Sequence, residues 1–143
     1  MSIGRRSRRQ VDKSRPEVFK RDGHICVADG LFEAVRWPCV GGLTVQHRRT
    51  KGMGGSALGD APEALLSMCS GHNVLQTADA DFAKRCVELG WAVPRWVADR
   101  HKLSRIPVKY CDGWFLLTDV DRVPISENTA QAILEDVYGD LLD

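Results

Sequence analysis

The chain has 143 residues, of which 43% are hydrophobic and 27% charged, and its formal net charge is +1. This length allows one compact domain with small additions, and no stretch approaches the roughly 18 apolar residues that a membrane helix needs. The composition predicts a soluble globular protein and argues against one that spans a membrane.

The first segment, MSIGRRSRRQVDKSR, is basic but is not followed by an apolar run, so it does not resemble a secretory signal. We expect a basic tail over residues 1–14 and a protein that remains in the cytoplasm. Cysteine occurs five times, an odd number that argues against a disulfide framework and favours metal ligation or simple burial.

Positive charge is concentrated in the first part of the chain. Residues 1–60 carry 12 Lys/Arg and 6 Asp/Glu, a net charge of +6, whereas residues 61–143 have a net charge of −5. A basic half suits a polyanion partner such as DNA, because neutralising phosphates releases counterions. The alternative is a solvated tail. We interpret the recurrent cations as DNA-binding residues, namely Arg5, Arg6, Arg8, Arg9, Arg48, Arg49 and Lys51.

The first half of the chain predicts one helix and one strand. Ser14 as N-cap and Pro16 in the first turn predict a short helix that ends near Gly23. The alternating segment LTVQH predicts a strand that ends at His47. The segment KGMGGS must be a loop, in which Gly54 and Gly55 either approach a phosphate or form a tight turn.

The second half predicts a longer helix, a meander and a final helix. Apolar residues from Leu75 to Leu89 recur at spacings of three and four, which predicts an amphipathic helix that ends at Gly90. A connector rich in tryptophan follows, and then IPVKY, WFLLT and RVPI predict three antiparallel strands. Ser126 and Gly139 bound a last helix. We expect Cys86 and Cys111 to lie in the core, and the tryptophans to serve packing.

Four of the remaining side chains are metal ligands by type. Cys26 and Cys39 are followed by the C-x-x-H pair Cys69 and His72, and a Cys₃His set suits tetrahedral structural zinc. The spacing leaves the alternative open that the cysteines are small buried hydrophobes and His72 is a surface histidine.

His47 ends the predicted strand and precedes the cations and glycines. A neutral imidazole there can take a proton from the water that attacks a phosphodiester. Such chemistry also needs a divalent cation, for which Asn73 offers an oxygen ligand. The alternative is a structural or surface histidine.

Three segments together, FKRDGHICV, PCVGGLTVQHRRTKGMGGS and LLSMCSGHN, resemble the HNH endonucleases of the ββα-metal group, most closely the small versions carried by actinobacterial phages. The resemblance implies an α+β fold. It also implies a hairpin, a loop and a helix that hold one catalytic divalent ion, with a zinc knuckle that holds the two ends together. We expect this nuclease domain over residues 15–100, and a C-terminal three-stranded meander and helix over residues 101–143 packed on it.

The resemblance also assigns roles by position. His47 matches the general base, Asn73 the ligand of a catalytic Mg²⁺ or Mn²⁺, and the Cys₃His set the structural Zn²⁺ ligands. Gln46 occupies a second ligand position where the family has Asp or His, and an amide oxygen is a weaker ligand. The middle Asn of the motif falls at Ala64, so either the alignment slips there or that tether is absent.

The leading hypothesis is a metal-dependent DNA endonuclease that leaves 5′-phosphate and 3′-hydroxyl ends. The resemblance would place such an enzyme in a bacterial host cytoplasm, beside the phage packaging terminase or portal. The second hypothesis is a zinc-stabilised DNA-binding module with a degenerate, inactive HNH site. A third is an adaptor whose C-terminal meander docks on a protein. The sequence carries no signal for one oligomeric state.

Overall fold

The computed structural model describes residues 13–31, 37–49 and 61–139. Within these segments the chain is an α+β fold with a two-stranded and a three-stranded sheet. The strands are β1 (Leu43–His47), β2 (Leu65–Cys69), β3 (Val108–Tyr110), β4 (Gly113–Thr118) and β5 (Asp121–Ile125). The helices are α1 (residues 13–21), α2 (Ser70–Ala78), α3 (Ala80–Glu88), α4 (Arg95–Ala98) and α5 (Glu127–Tyr138). None of the described helices is long and apolar enough to cross a bilayer.

The predicted first helix is present, but its start differs from the expectation. Lys13 is already helical, so Ser14 lies inside α1 and is not its cap. The helix ends at residue 21, and Gly23 adopts a φ of +73°, as expected for a residue that stops a helix.

A buried polar network holds the end of α1 against the sheets. Arg21 and Asp22 form an ion pair of 2.8 Å, and Tyr110 of β3 donates to Asp22 at 2.6 Å. Arg21 also donates to the carbonyl oxygens of Pro62 and Leu65. Burial lowers the pKa of Arg21, but the hydrogen bond and charge of Asp22 outweigh it, so the net shift is upward. The guanidinium therefore stays charged inside the fold.

β1 and β2 pair in an antiparallel hairpin, and α2 follows β2 without a loop. Leu43 lies opposite Cys69 and His47 opposite Leu65. Every residue of β2 is buried, which explains why its sequence shows an apolar run in place of alternation. The predicted loop KGMGGS falls outside the described residues.

The single helix predicted across Leu75 to Leu89 is two helices. Asp79 has an extended backbone with φ −133° and ψ 116°, so the helix is broken there. Its side chain accepts a hydrogen bond from the N–H of Phe82 and caps α3. The predicted end is correct, since Gly90 adopts a φ of +77° immediately after Leu89, the C-cap of α3.

The C-terminal part follows the prediction closely. β3, β4 and β5 form an antiparallel meander in chain order. Ser126 caps α5 by accepting from the N–H of Thr129 at 3.1 Å, and Gly139 ends the helix. The connector before the meander contains the short helix α4.

Two hydrophobic clusters form the core of the described chain. The first surrounds β2 and α3 but also takes Tyr110 and Leu117 from the meander. The second joins Val97 and Ile106 to the inner face of α5. The core therefore draws on residues from both sides of position 100.

The predictions for individual apolar residues have mixed outcomes. Cys86 is buried as expected, but Cys111 is exposed in the turn between β3 and β4, so its assignment to the core was wrong. Trp91 and Trp114 are buried, whereas 43% of Trp96 is exposed.

Candidate metal centre and adjoining cleft

Cys26, Cys39, Cys69 and His72 converge on one point. Their ligand atoms all lie within 4.8 Å of one another. The Nδ1 atom of His72 lies 3.1 Å from the sulfur of Cys69, 3.6 Å from that of Cys26 and 3.7 Å from that of Cys39. The sequence prediction that these four residues form one cluster is confirmed, and the cluster could hold a structural metal ion such as zinc.

The loop that carries Cys39 is fastened to the start of α2. The N–H of Gly71 donates to the carbonyl of Val40 at 2.9 Å, and the N–H of Ser70 donates to that of Gly42 at 2.8 Å. Gly41 has a φ of +83°, and a side chain there would collide with the hydroxyl of Ser70. The positive φ and the close approach to Ser70 therefore favour glycine at this position of the loop that carries Cys39.

The orientation of the His72 ring is fixed by a second hydrogen bond. Its Nε2 lies 2.8 Å from the carbonyl oxygen of Trp37, which can only accept. Nε2 therefore carries the proton and Nδ1 presents its lone pair to the thiols. The ring also stacks on Phe82, at 5.2 Å between centroids. A backbone partner on the far nitrogen is typical of metal-ligating histidines.

The raised pKa values of the clustered thiols are also consistent with a site for a cation. Burial, and secondarily the neighbouring thiols, raises the pKa of Cys39 to about 12, and burial is also the main cause of the upward shift at Cys26. The sulfurs of Cys26 and Cys69 accept backbone N–H groups from Ala28 and His72, each at 3.4 Å. Three adjacent thiols are therefore stable as thiolates only if a positive ion lies between them.

A cleft of about 510 Å³ lies between β1 and the helices α2 and α3. His47 and Asn73 both line it, one from the end of β1 and the other from the first turn of α2. Gln46, Gln76 and Thr77 contribute further polar side chains. The two residues predicted as base and metal ligand therefore share one cavity.

Asn73 is anchored through its amide nitrogen. Nδ2 donates to the hydroxyl of Thr44 at 2.8 Å and approaches the carbonyl of Val45 at 3.4 Å. Thr44 in turn donates to the carbonyl of Met68 at 2.7 Å. This chain of bonds orients the amide so that its oxygen remains available as an acceptor or ligand.

Gln46 is largely buried and is also held through nitrogen. Its Nε2 donates to the carbonyl of His47 at 2.8 Å and to Oε1 of Gln76 at 3.0 Å. The cleft side chains thus offer two amide oxygens of the kind predicted for a divalent ion, from Gln46 and Asn73. None of the described residues that line the cleft is Asp or Glu.

The structure corrects the assignment of Arg48 to DNA binding. Its side chain is fully buried, with 0% exposed, and donates to main-chain carbonyl oxygens. Burial lowers the pKa of Arg48 to about 10, so it is still a cation at neutral pH. A guanidinium enclosed in this way cannot reach a phosphate.

Arg49 remains a candidate for the predicted phosphate contact. It pairs with Asp99 at 2.7 Å and lines both this cleft and a second one of about 530 Å³. The second cleft also contains Arg100, His101 and Lys102. The other predicted DNA-binding residues lie outside the described part of the chain: Arg5, Arg6, Arg8, Arg9, Lys51, Gly54 and Gly55.

The sequence analysis missed Gln76, which lines the cleft, and Thr44, which bonds to Asn73, although a signal for each was present. Thr44 lies two residues before Gln46 on a strand, so the two side chains share the face that meets α2. Gln76 lies three residues after Asn73, which places both on one face of α2. Ala64, where the motif's middle Asn would fall, is buried, and its carbonyl accepts from the N–H of Arg48.

No protein-family model, curated protein or solved structure that was compared with the chain matches it.

Proposed function

We propose that this chain is a metal-dependent DNA endonuclease of the HNH kind. The observation that carries the proposal is the shared cleft of His47 and Asn73. These residues come from β1 and α2 of a strand, strand, helix unit, and the Cys₃His cluster lies at the junction of β2 and α2. That combination of an imidazole, an amide and a thiol clamp supports hydrolysis of a phosphodiester.

The ion at the thiol cluster is zinc in this proposal. Three sulfurs and one imidazole nitrogen suit a tetrahedral, closed site, and zinc prefers those ligands. The role is structural, because the four protein ligands would fill all four coordination positions of a tetrahedral ion and leave none open for a substrate. The clamp fixes the loop of Cys39 and the start of α2, and so fixes the cleft wall that carries Asn73.

His47 acts as general base in this proposal. Its imidazole takes a proton from a water molecule as that water attacks phosphorus, and the bond from phosphorus to the 3′ oxygen breaks. The leaving oxygen takes a proton from solvent, which gives 5′-phosphate and 3′-hydroxyl ends. Arg49, at the edge of the same cleft, would contact a backbone phosphate without reading sequence.

Gln46 and Asn73 would hold a divalent ion through their amide oxygens. Both are hard oxygen ligands of the type that Mg²⁺ and Mn²⁺ accept, although neither is charged. Such an ion would neutralise charge on the phosphate and on the leaving oxygen. The phosphate itself would supply the negative charge that the described cleft side chains do not.

A second candidate function has a specific observation in its favour. The described lining of the cleft contains no carboxylate, and the amide oxygens of Gln46 and Asn73 are uncharged and therefore weak ligands. Weak metal affinity would leave a zinc-stabilised DNA-binding module that no longer cleaves. Both candidates predict steep salt dependence of DNA binding, so affinity alone does not separate them.

The decisive experiment is plasmid nicking. Purified full chain is incubated with supercoiled plasmid and Mg²⁺ or Mn²⁺, beside the variants His47→Ala and His24→Asn. His24 is an exposed histidine outside the cleft with a φ of 60°, which Asn tolerates, so this variant is a matched control.

The endonuclease proposal expects nicking by the unmodified chain and by His24→Asn, and its loss in His47→Ala. If all three proteins show the same background nicking and still bind DNA, the endonuclease proposal is wrong and the DNA-binding module is favoured.

A further inference from the structure

Arg48 follows His47 directly and is a cation that the fold encloses completely. Its guanidinium donates to four main-chain carbonyl oxygens, at 2.8–3.0 Å. The acceptors are Glu63, Gly90, Leu103 and Ile106. Within the described segments no carboxylate forms an ion pair with it. Carbonyl dipoles therefore replace both water and a counter-ion around this charge.

The main chain at Arg48 is equally fixed. Its N–H donates to the carbonyl of Ala64 at 2.8 Å, and its own carbonyl accepts from the N–H of Val93 at 2.6 Å. The backbone and the side chain of one residue are thus bonded to three segments of the chain, at residues 63–64, 90–93 and 103–106. Displacing the residue would leave a buried charge and several buried carbonyls without partners.

We infer that Arg48 is a positioning residue. It holds the end of β1, and with it the imidazole of His47, against residues 90–106. Two of its four acceptors, Leu103 and Ile106, lie beyond residue 100, and Ile106 belongs to the core cluster that contains α5. The C-terminal part of the chain then supports the cleft through Arg48, although the last described residue that lines the cleft is Ala92.

The catalytic consequence rests on the proposed function, but the positioning itself does not. A displacement of the base by about 1 Å lowers a rate roughly a hundredfold, so an anchor on the adjacent residue has a large effect without touching substrate. A purely structural arginine would instead lower stability and leave the state of His47 unchanged.

Arg21 provides the matched control. It is a second buried arginine that donates to carbonyl oxygens, those of Pro62 and Leu65, but it lies at the end of α1 and does not line the cleft. Replacing either arginine by lysine keeps the charge and removes the planar fork that reaches several carbonyls at once.

The experiment compares the full chain with Arg48→Lys and Arg21→Lys. The ring resonances of His47 are measured by NMR on histidine-labelled protein and assigned with His47→Ala. We expect Arg48→Lys to change these resonances, and to lower plasmid nicking roughly ten- to a hundredfold with little change in DNA affinity. Arg21→Lys should lower the unfolding temperature while leaving the His47 signals unchanged.

Unaltered His47 signals in folded Arg48→Lys, or equal changes in both variants, would overturn the inference. The NMR measurement does not depend on activity. It therefore tests the positioning of His47 by Arg48 even if the unmodified chain does not nick DNA.

If Arg48→Lys does not fold, Ile106→Val replaces it, with Ile133→Val as its control, since Ile133 packs against the same core cluster. A change in the His47 ring resonances in Ile106→Val but not in Ile133→Val supports the positioning role of Arg48. Unchanged resonances in both variants contradict it.

Discussion

The amide nitrogen of Asn73 donates a 2.8 Å hydrogen bond to the hydroxyl of Thr44, and thereby ties the first turn of α2 to the strand that ends at His47. This bond connects the two elements that wall the cleft. The two ends of the Asn73 amide therefore have different roles: the nitrogen links α2 to β1, and the oxygen remains available for a ligand.

Variants on either side of this bond should separate the two roles. Asn73→Ala removes both the tie and the oxygen, whereas Thr44→Val removes the tie, together with the bond of Thr44 to the Met68 carbonyl, and keeps the oxygen. We expect Asn73→Ala to reduce plasmid nicking by more than about a hundredfold, and Thr44→Val by about tenfold. Each should lose about 1 kcal/mol of unfolding free energy in denaturant titrations.

Equal rates for Asn73→Ala and Thr44→Val would show that the oxygen of Asn73 has no role of its own. The comparison is valid only where both variants retain a cooperative unfolding transition.

Metal content tests the thiol cluster. We expect mass spectrometry of the native protein to find about one zinc per chain, and chelation to unfold it, because the ligands belong to separate segments that the ion joins. Cys69→Ser should lose both metal and fold. Cys86→Ala, at a buried cysteine outside the cluster, should keep the metal and cost about 1 kcal/mol. Retention of full zinc content by Cys69→Ser would refute the assignment.

Gly90 should be among the positions least tolerant of substitution. It combines a φ of +77° with close approach to Pro107, whose carbonyl oxygen a methyl group would strike. Thermal unfolding should show a loss of about 3 kcal/mol or more for Gly90→Ala, from left-handed strain plus a steric clash.

Gly23→Ala is the control, since Gly23 has a φ of +73° and no atom within 4 Å of the added carbon. It should cost only about 1 kcal/mol, the strain alone. Similar losses at the two glycines would argue against the contact with Pro107.

In the meander, the side chain of Arg122 contacts one carboxylate and two aromatic rings. Arg122 donates two hydrogen bonds to Asp112, at 3.1 and 3.0 Å, and lies 4.1 Å from the ring centre of Phe115 and 4.7 Å from that of Tyr110. Because the pair is partly exposed, we expect Arg122→Met to lower stability by only about 1 kcal/mol, and salt to weaken the effect.

This pair should also contribute to stability in a pH-dependent manner. The hydrogen bond from Arg122 lowers the pKa of Asp112 below its ordinary value. The pair therefore stabilises the fold above the unfolded pKa, and that contribution is lost as the pH falls through the folded one. Acid unfolding curves of Arg122→Met should show a shallower loss of stability in this range than those of the unmodified chain.

The parts of the fold that the sequence predicted are those set by neighbours along the chain. β1, the meander and α5 show local signals, such as alternation in LTVQH and a capping serine before α5. The helix break at Asp79 was missed because the apolar spacing continues across it. A capping Asp followed three residues later by Phe82 was the available signal.

The burial of the Arg48 side chain could not be predicted from local sequence signals. Its acceptors lie 15 to 58 residues away, and nothing in the RRT segment separates a buried arginine from a phosphate-binding one. Cys111 shows the reverse case, since an apolar strand context suggested burial but the residue falls in the turn, where the chain faces solvent.

The ligand cluster brings together residues 26, 39 and 69–72, and thus closes the chain on itself twice before the meander begins. If this cluster holds the proposed zinc, newly synthesised protein should mature only as fast as it acquires that ion. In a cell starved of that ion the chain would remain open to proteases, so the supply of metal would set how much working protein accumulates.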